Sequence, residues 1–233
     1  RSVQSIPAFP MTVQKVAELV SREDYAVTDL VNLIKYDQAI TANILKMSNA
    51  AYFGSRHKIK SIQEAVLYLG QQNLLRAVQT AGVSRFYRKV GGGYVTQARE
   101  LWKHSIAVAM MTQILSQKVF HCDDSVLYTA GLLHDIGKVF LGEYVQESFN
   151  KIEDLVTNQG YSFLDAEKEV LGIDHAGLGG LIAEHWHFPP EIKDAIAYHH
   201  RPDLLDKEGD HVSWLVYLSD QLCLRSEERR VGK

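Results

Sequence analysis

The stretch TAGLLHDIGKVF, from Thr129 to Phe140, places a histidine and an aspartate side by side in an otherwise apolar helical pattern. A buried charge costs free energy unless it is paired or coordinates a metal. The residues flanking His134 and Asp135 are so apolar that we favour a metal over the two alternatives, a buried ion pair and a capping network.

More imidazoles and carboxylates follow in the second half of the chain. His104 lies in a long predicted helix with Glu100 one turn earlier, so that both can face the same side, although a glutamate there is more often solvent-facing. His175 begins a helix beside Asp174, and capping that helix is an equal alternative for it. The remaining candidates are His199, His200 and Asp220.

Imidazoles and carboxylates together are the ligands of iron, manganese, nickel and zinc, so the pattern predicts one or two divalent transition-metal ions. Two such ions a few ångströms apart can turn water into hydroxide and clamp a phosphate. This chemistry needs a bridging carboxylate and histidines that converge from different helices. His199 and His200 end a helix, where imidazoles also interact well with the helix dipole, and one ligand from this pair is favoured over two.

Composition limits the classes of partner. The chain has 233 residues, 46% of them hydrophobic, with a formal net charge of −3, and its pI is about 6.4. This charge gives no general attraction to nucleic acid or to anionic lipid, so we predict neither nucleic-acid nor membrane binding. Cys122 and Cys223 lie far apart and favour a reducing compartment. No apolar run is long enough to span a membrane and no signal peptide opens the sequence, so we expect a cytoplasmic protein.

Helical periodicity dominates the sequence. Pro10 is predicted as the first residue of one helix and Thr28 as the N-cap of the next. Ser61 and Glu64 have the spacing of a capping box, and Gly70 is expected to close that helix. Since no segment alternates with period two between turn signals, we predict an all-α fold of roughly ten short helices.

The triple glycine Gly91–Gly93 interrupts the periodic pattern and is the best candidate for a domain boundary. Of the ten histidines only His57 precedes it. We therefore predict an N-terminal helical lobe over 1–92 and a helical lobe with the metal site over 93–233.

The HD pair in GLLHDIGK, with His104 upstream and Asp220 downstream, resembles the H…HD…D signature of HD-domain metal-dependent phosphohydrolases. The segments IPAFPMTVQKVAELV, LIKYDQAITANILKMSNAAYFGSRHKIKSIQEAVLYLG and LWKHSIAVA are similar to the HDOD family, the HD-related output domains of bacterial signalling proteins. This resemblance covers most of residues 5–222. It implies an all-α fold in which an N-terminal helical lobe packs on an HD-type helical lobe.

The resemblance also implies a function. HDOD members are treated mainly as regulatory modules, which suggests a signal-output domain that acts on signalling proteins or through a phosphate-containing ligand. The alternatives are an active metal-dependent phosphohydrolase on a nucleotide or cyclic dinucleotide, and a structural module whose polar cluster only stabilises the core.

The related HD-GYP phosphodiesterases supply an expected set of site residues. In their pattern Asp135 would bridge the metals and Lys138 would contact the phosphate. Where those enzymes carry a glutamate and a G-Y-P element, this chain reads HHRPDLLDKEG, which argues against a cyclic-dinucleotide phosphodiesterase. The metal shell implied by the similarity is Glu100, His104, His134, Asp135, His175, His199, His200 and Asp220.

Overall fold

A computed structural model of the chain describes residues 6–20, 22, 24–49, 58–87, 98–119, 125–142, 148–205 and 211–231. These ranges hold helices and no strand, which confirms the all-α prediction. The α-helices are α1 (Met11–Val20), α2 (Val27–Ile34), α3 (Gln38–Ser48), α4 (Ile62–Tyr87), α5 (Ala98–Val119), α6 (Ser125–Leu133), α7 (Ile136–Leu141), α8 (Phe149–Gln159), α9 (Phe163–Leu171), α10 (His175–His185), α11 (Pro190–Tyr198) and α12 (His211–Val231). A short 3-10 helix at Pro202–Leu204 follows α11. No helix in these ranges is both long and apolar enough to cross a membrane.

The chain divides into two compact units. One comprises Pro7–Arg85 and is called the first unit. The second unit comprises Phe86–Lys233 together with Arg1–Ile6, and it contains all the ligand candidates. Gly91–Gly93, on which the predicted boundary between 1–92 and 93–233 rests, lies outside the described residues. That boundary therefore stays a prediction.

The first unit has a core of aliphatic side chains from its first three helices. Val16, Leu30, Ile34, Ile40 and Ile44 are completely buried. Within α2 and α3 they recur at a spacing of four residues, which puts them on one face of each helix.

Two predicted helix starts in this unit were displaced by one or two residues. α1 begins at Met11, and Pro10 precedes it with a carbonyl that accepts the N–H of Val13 at 2.9 Å. Thr28 lies inside α2, because Ala26 takes the extended N-cap conformation and its carbonyl accepts the first helical N–H groups. Here the backbone alone starts the helix, and the threonine hydroxyl is not used as a cap.

The predicted features of α4 are present in part. Ser61 Oγ accepts the N–H of Glu64 at 3.1 Å, while the Glu64 carboxylate accepts the N–H of Lys60 rather than that of Ser61. Gly70 has φ of +70° and interrupts the helical backbone within α4. A side chain would strain this conformation, which explains why glycine stands at the break.

Asp37 connects the start of α3 to the end of the first unit. Its carboxylate accepts the N–H of Ile40 at the start of α3, and both of its oxygens lie 2.5 Å from Arg85 Nη2. Partial burial alone would raise the pKa of Asp37, but Arg85 and the Ile40 N–H outweigh that effect and lower it.

We expect Asp37→Ala to lower the free energy of unfolding of this unit by about 2 kcal/mol at pH 7, because it removes a cap and a charge-assisted hydrogen bond. Since the folded-state pKa of Asp37 lies below its unfolded value, this stabilisation is complete above the unfolded pKa and is lost as the pH falls through the folded pKa. Urea titrations should therefore show a difference between wild type and variant that narrows below about pH 5. A difference that stays constant with pH would contradict this account. As a control, Asp29→Ala in the exposed first turn of α2 should cost no more than about 0.5 kcal/mol.

The second unit contains the candidate site. α5 packs on α6 and α12, and α10 packs on α7 and α11. The small residues Ala130 and Ala195 are completely buried in a cluster with Leu127, Leu215 and Val216. These contacts hold α6, α11 and α12 together. α6 and α11 each end directly before a ligand candidate, and α12 contains one, so the packing of the three helices brings these candidates close to one another.

α7 and α10 meet at their backbones. A Cβ added to Gly137 would lie only 1.9 Å from the carbonyl oxygen of His175. Glycine is therefore required at this contact, which sets the position of His175 relative to the turn that carries Asp135.

Candidate metal centre

Seven of the predicted ligands come together in the second unit, in two groups. Within each group, ligand atoms of all members lie within 4.8 Å of one another. The first group is His104, His134 and Asp220; the second group is Asp135, His175, His199 and His200. They come from α5, the turn between α6 and α7, the start of α10, the end of α11, and the middle of α12.

The turn between α6 and α7 positions the central pair. Leu133 ends α6 and Ile136 begins α7, and both are completely buried, so His134 and Asp135 between them are buried too. Asp135 stands at the N-cap of α7, yet its side chain makes no capping hydrogen bond. The capping alternative therefore does not describe Asp135, and its carboxylate faces the cluster.

The Asp135 carboxylate lies between the two groups. Its Oδ2 is 3.5 Å from His134 Nε2, while its Oδ1 is 3.5 Å from His175 Nε2 and 3.6 Å from His199 Nε2. One oxygen thus faces each group, which is the arrangement that a bridging carboxylate needs.

Three buried ligand atoms have no hydrogen-bond partner among the described residues: His134 Nε2, Asp135 Oδ1 and His199 Nε2. The Nδ1 atoms of His134 and His199 lie 2.8 Å from the carbonyl oxygens of Gly131 and Ile196 and donate to them. The lone pair of each imidazole is therefore on Nε2 and points inward. Buried polar atoms are almost always satisfied, and cations bound in the two groups would satisfy all three.

Asp220 completes the first group. Its Oδ1 lies 2.9 Å from His104 Nε2 and 3.9 Å from His134 Nε2. Asp220 is 2% exposed and His104 6%. α12 runs from His211 to Val231, so Asp220 lies in the middle of that helix.

The second group places two imidazoles side by side. His175 Nε2 and His200 Nε2 are 2.9 Å apart, so one proton lies between them when no cation is bound. A metal ion would displace that proton, because ligating histidines bind in the neutral form through a lone pair. His200 is the half-buried member of the group.

Burial favours the neutral form of three imidazoles of the cluster, those of His134, His175 and His200. Burial lowers the pKa of His134 to about 4 and that of His200 to about 3. Burial also lowers the pKa of His175 well below its usual range. Neutral imidazoles are the form that binds metals.

The carboxylates are held ionised. Burial alone would raise the pKa of Asp135, but Lys138 and the neighbouring imidazoles outweigh it and hold that pKa well below its usual range. Lys138 Nζ donates to Asp135 Oδ2 at 2.8 Å, and the carboxylate raises the pKa of Lys138 despite its burial. Burial would likewise raise the pKa of Asp220, but the hydrogen bond from His104 prevails and lowers it. Asp135 and Asp220 carry two negative charges against the one positive charge of Lys138. The remaining negative charge favours a bound cation.

The structure does not bring Glu100 to the other candidates. Its side chain is 68% exposed and accepts from Lys103 Nζ at 2.6 Å. Glu100 lies in the first turn of α5, about 6 Å along the helix axis from His104, and at that end of the helix its side chain is in solvent while His104 is buried. The solvent-facing alternative describes Glu100, and the expectation that it joins the shell is corrected here.

The geometry also places the histidines at the start of α10 and at the end of α11. Asp174 Oδ1 accepts the N–H of Gly177 at 2.6 Å and so caps α10, which leaves the ring of His175 to the cluster. Both His199 and His200 lie in the second group, and the expectation that one of them is a ligand stays a prediction.

Sequence reasoning missed Glu167, which is completely buried in α9. Its Oε2 accepts from both the backbone N–H and the Nδ1 of His175, at 2.8 and 2.6 Å. Burial raises the pKa of Glu167 to about 7. In the sequence LDAEKEV nothing separates it from its acidic neighbours, except that it stands beside the buried Ala166.

The fold and the site together define an all-α domain with a histidine–aspartate cluster. The profile of the HDOD domain family matches residues 6–202, and the chain belongs to that family. It is 23% identical over 201 residues to an uncharacterized protein of Treponema pallidum (strain Nichols), a match that covers 85% of this chain and 38% of that protein. The chain thus spans well under half of this relative.

Solved structures show the same fold. An HDOD domain protein of unknown function from Geobacter sulfurreducens is 28% identical, with a TM-score of 0.84, over 94% of this chain and 72% of that one. A candidate phosphohydrolase from Shewanella amazonensis SB2B is 24% identical, with a TM-score of 0.81, over 97% of this chain and 80% of that one. These likenesses confirm the all-α HDOD fold.

Proposed function

We propose that this chain is a metal-binding regulatory domain that holds two divalent transition-metal ions and transmits a signal through protein contacts or a bound phosphate-containing ligand. One observation carries the proposal. Three buried ligand atoms, His134 Nε2, Asp135 Oδ1 and His199 Nε2, have no hydrogen-bond partner among the described residues. Membership of the HDOD family supports the regulatory role.

The two groups divide the ligands between the ions. His104, His134 and Asp220 would hold one ion and His175, His199 and His200 the other, with Asp135 between them. This mixture of imidazoles and carboxylates suits iron, manganese, nickel or zinc. When bound, such a pair can activate water and polarise a phosphoryl oxygen.

Two features favour regulation over turnover. Glu100, which would be part of the shell of a related phosphodiesterase, is exposed and paired with Lys103. The segment after His200 reads RPDLLDKEG, so Arg201 follows the paired histidines where those enzymes carry a glutamate, and no G-Y-P element follows. A regulatory ion needs only to be bound by the protein. Turnover also needs coordination positions on the ion that are open to substrate.

Lys138 favours a second candidate, a metal-dependent phosphohydrolase. Its side chain is 22% exposed and donates to the same oxygen of Asp135 that faces His134. The ammonium can therefore neutralise a phosphate that approaches Asp135 from solvent, as the HD resemblance implies. In that reaction Lys138 would orient the phosphate while the buried imidazoles keep their lone pairs on the ions.

Hydrolysis assays separate the two candidates. We expect the chain, loaded with manganese or iron, to hydrolyse neither bis(p-nitrophenyl) phosphate nor cyclic dinucleotides faster than the metal-free protein. The regulatory proposal is overturned by metal-dependent turnover on the order of 1 s⁻¹ or faster that Asp135→Ala abolishes and Lys138→Met slows. Glu100→Gln is the matched control and should leave either outcome unchanged.

A further inference from the structure

The corner between α9 and α10 contains a buried contact that the proposed metal ligands do not explain. α9 ends at Leu171 with Gly172 as its C-cap, and α10 begins at His175. A single oxygen of Glu167 accepts both the backbone N–H and the ring Nδ1 of His175. Glu167 is completely buried and His175 is 1% exposed.

This contact fits the tautomer that a ligating His175 needs. When Nε2 binds an ion through its lone pair, the ring proton is on Nδ1, and Glu167 Oε2 is placed to accept it at 2.6 Å. His175 Nε2 lies 3.5 Å from Asp135 Oδ1, inside the second group. A carboxylate behind a ligating imidazole both orients the ring and strengthens it as a ligand.

We propose that Glu167 is a positioning residue that holds the ring of His175 toward the ion of the second group. The inference rests on the proposed metal binding and extends it to a residue that contacts no ion. Glu167 acts through His175, which belongs to the second group alone. Its loss should therefore weaken one ion and leave the other in place.

A simple structural brace at the same corner provides the comparison. Lys168 Nζ lies 2.9 Å from Asp174 Oδ2, and the Lys168 side chain is 61% exposed. This pair connects α9 to the N-cap of α10 without contacting the ring of His175. If Glu167 merely stabilised the corner, removing Lys168 would have a similar effect on metal binding.

The test is a chelator competition with Zn²⁺ and with Mn²⁺ on the whole chain. We expect Glu167→Ala to weaken one of the two ions about 100-fold and Glu167→Gln, which keeps an acceptor oxygen but no charge, about 10-fold. The affinity for the other ion should be unchanged in both variants. Two controls, Lys168→Met and Glu169→Gln on the exposed side of α9, should bind both ions like the wild type.

Each outcome has a distinct meaning. If Glu167→Gln and Glu167→Ala keep both affinities, or if Lys168→Met weakens the same ion equally, the positioning role is wrong. If Glu167→Ala does not fold, the metal affinities of Glu167→Gln and Glu169→Gln are compared instead. Equal affinities in these two variants would show that the positioning role is wrong. A wild-type chain that binds neither Zn²⁺ nor Mn²⁺ overturns the proposed function, and the inference with it, before any variant is compared.

Discussion

Asp135→Asn is expected to weaken the binding of both metal ions by about 100-fold each, while every other single ligand substitution weakens mainly one. Structural zinc sites bind with about 10–16 kcal/mol shared among four ligands, so one ligand contributes about 3 kcal/mol, or roughly 100-fold. Asp135 is the ligand whose two oxygens face different groups. Asparagine keeps the shape of the side chain but removes the charge that both ions would share.

Thermal unfolding with and without added metal measures this effect. A ligand at 100 times its dissociation constant stabilises the folded state by about 2.7 kcal/mol, so metal should raise the Tm of the wild type. Asp135→Asn should lose most of that increase. Asp220→Asn is the matched control, since it changes a buried carboxylate of the first group only and should keep the second ion. If Asp135→Asn keeps one ion at wild-type affinity, the bridging role is wrong.

Gly137→Ala is expected to cost roughly 3 kcal/mol of stability or more and to remove the ion of the second group. The new Cβ would lie 1.9 Å from the His175 carbonyl oxygen and 2.7 Å from its carbonyl carbon. Both are backbone atoms, so no side-chain rotation relieves the clash and α10 has to move by roughly 1 Å in a closely packed interior. A binding constellation tolerates only about 0.5 Å, so His175 would leave its place beside Asp135.

Gly177→Ala, in the first turn of α10, is the control for Gly137→Ala. Its added Cβ would meet the Asp174 Oδ1 atom at 3.1 Å and no backbone atom within 4 Å, so a small side-chain shift suffices. Urea titration and chelator competition on both variants give the comparison. If Gly137→Ala is as stable as Gly177→Ala and binds both ions, the backbone contact does not determine the position of His175.

The fold could be predicted from the sequence because helical periodicity is a local signal. The Ser61 cap and the break at Gly70 follow from residues a few positions apart. The sequence predicts the start of α1 one residue too early and the N-cap of α2 two residues too late. Pro10 and Ala26 accept the first hydrogen bonds of these helices through their backbone carbonyls, which no side-chain pattern reveals.

Most of the candidate site could also be predicted, since imidazoles are rare on apolar helices and several occurred together. Whether a candidate side chain is buried or exposed could not be predicted from the sequence. Glu100 and Glu167 are both glutamates in short charged segments of predicted helices, yet one is exposed beside Lys103 and the other is buried beneath His175. What separates them is the packing of α9 against α10, which depends on residues distant in the sequence.

Metal content is the most direct test of this account. We would purify the whole chain without chelators and measure iron, manganese, nickel and zinc per chain by elemental analysis. The account predicts two transition-metal ions per chain, falling to one in Asp220→Asn. It is contradicted if the wild-type chain contains no transition metal and takes up none when manganese, iron, nickel or zinc is added.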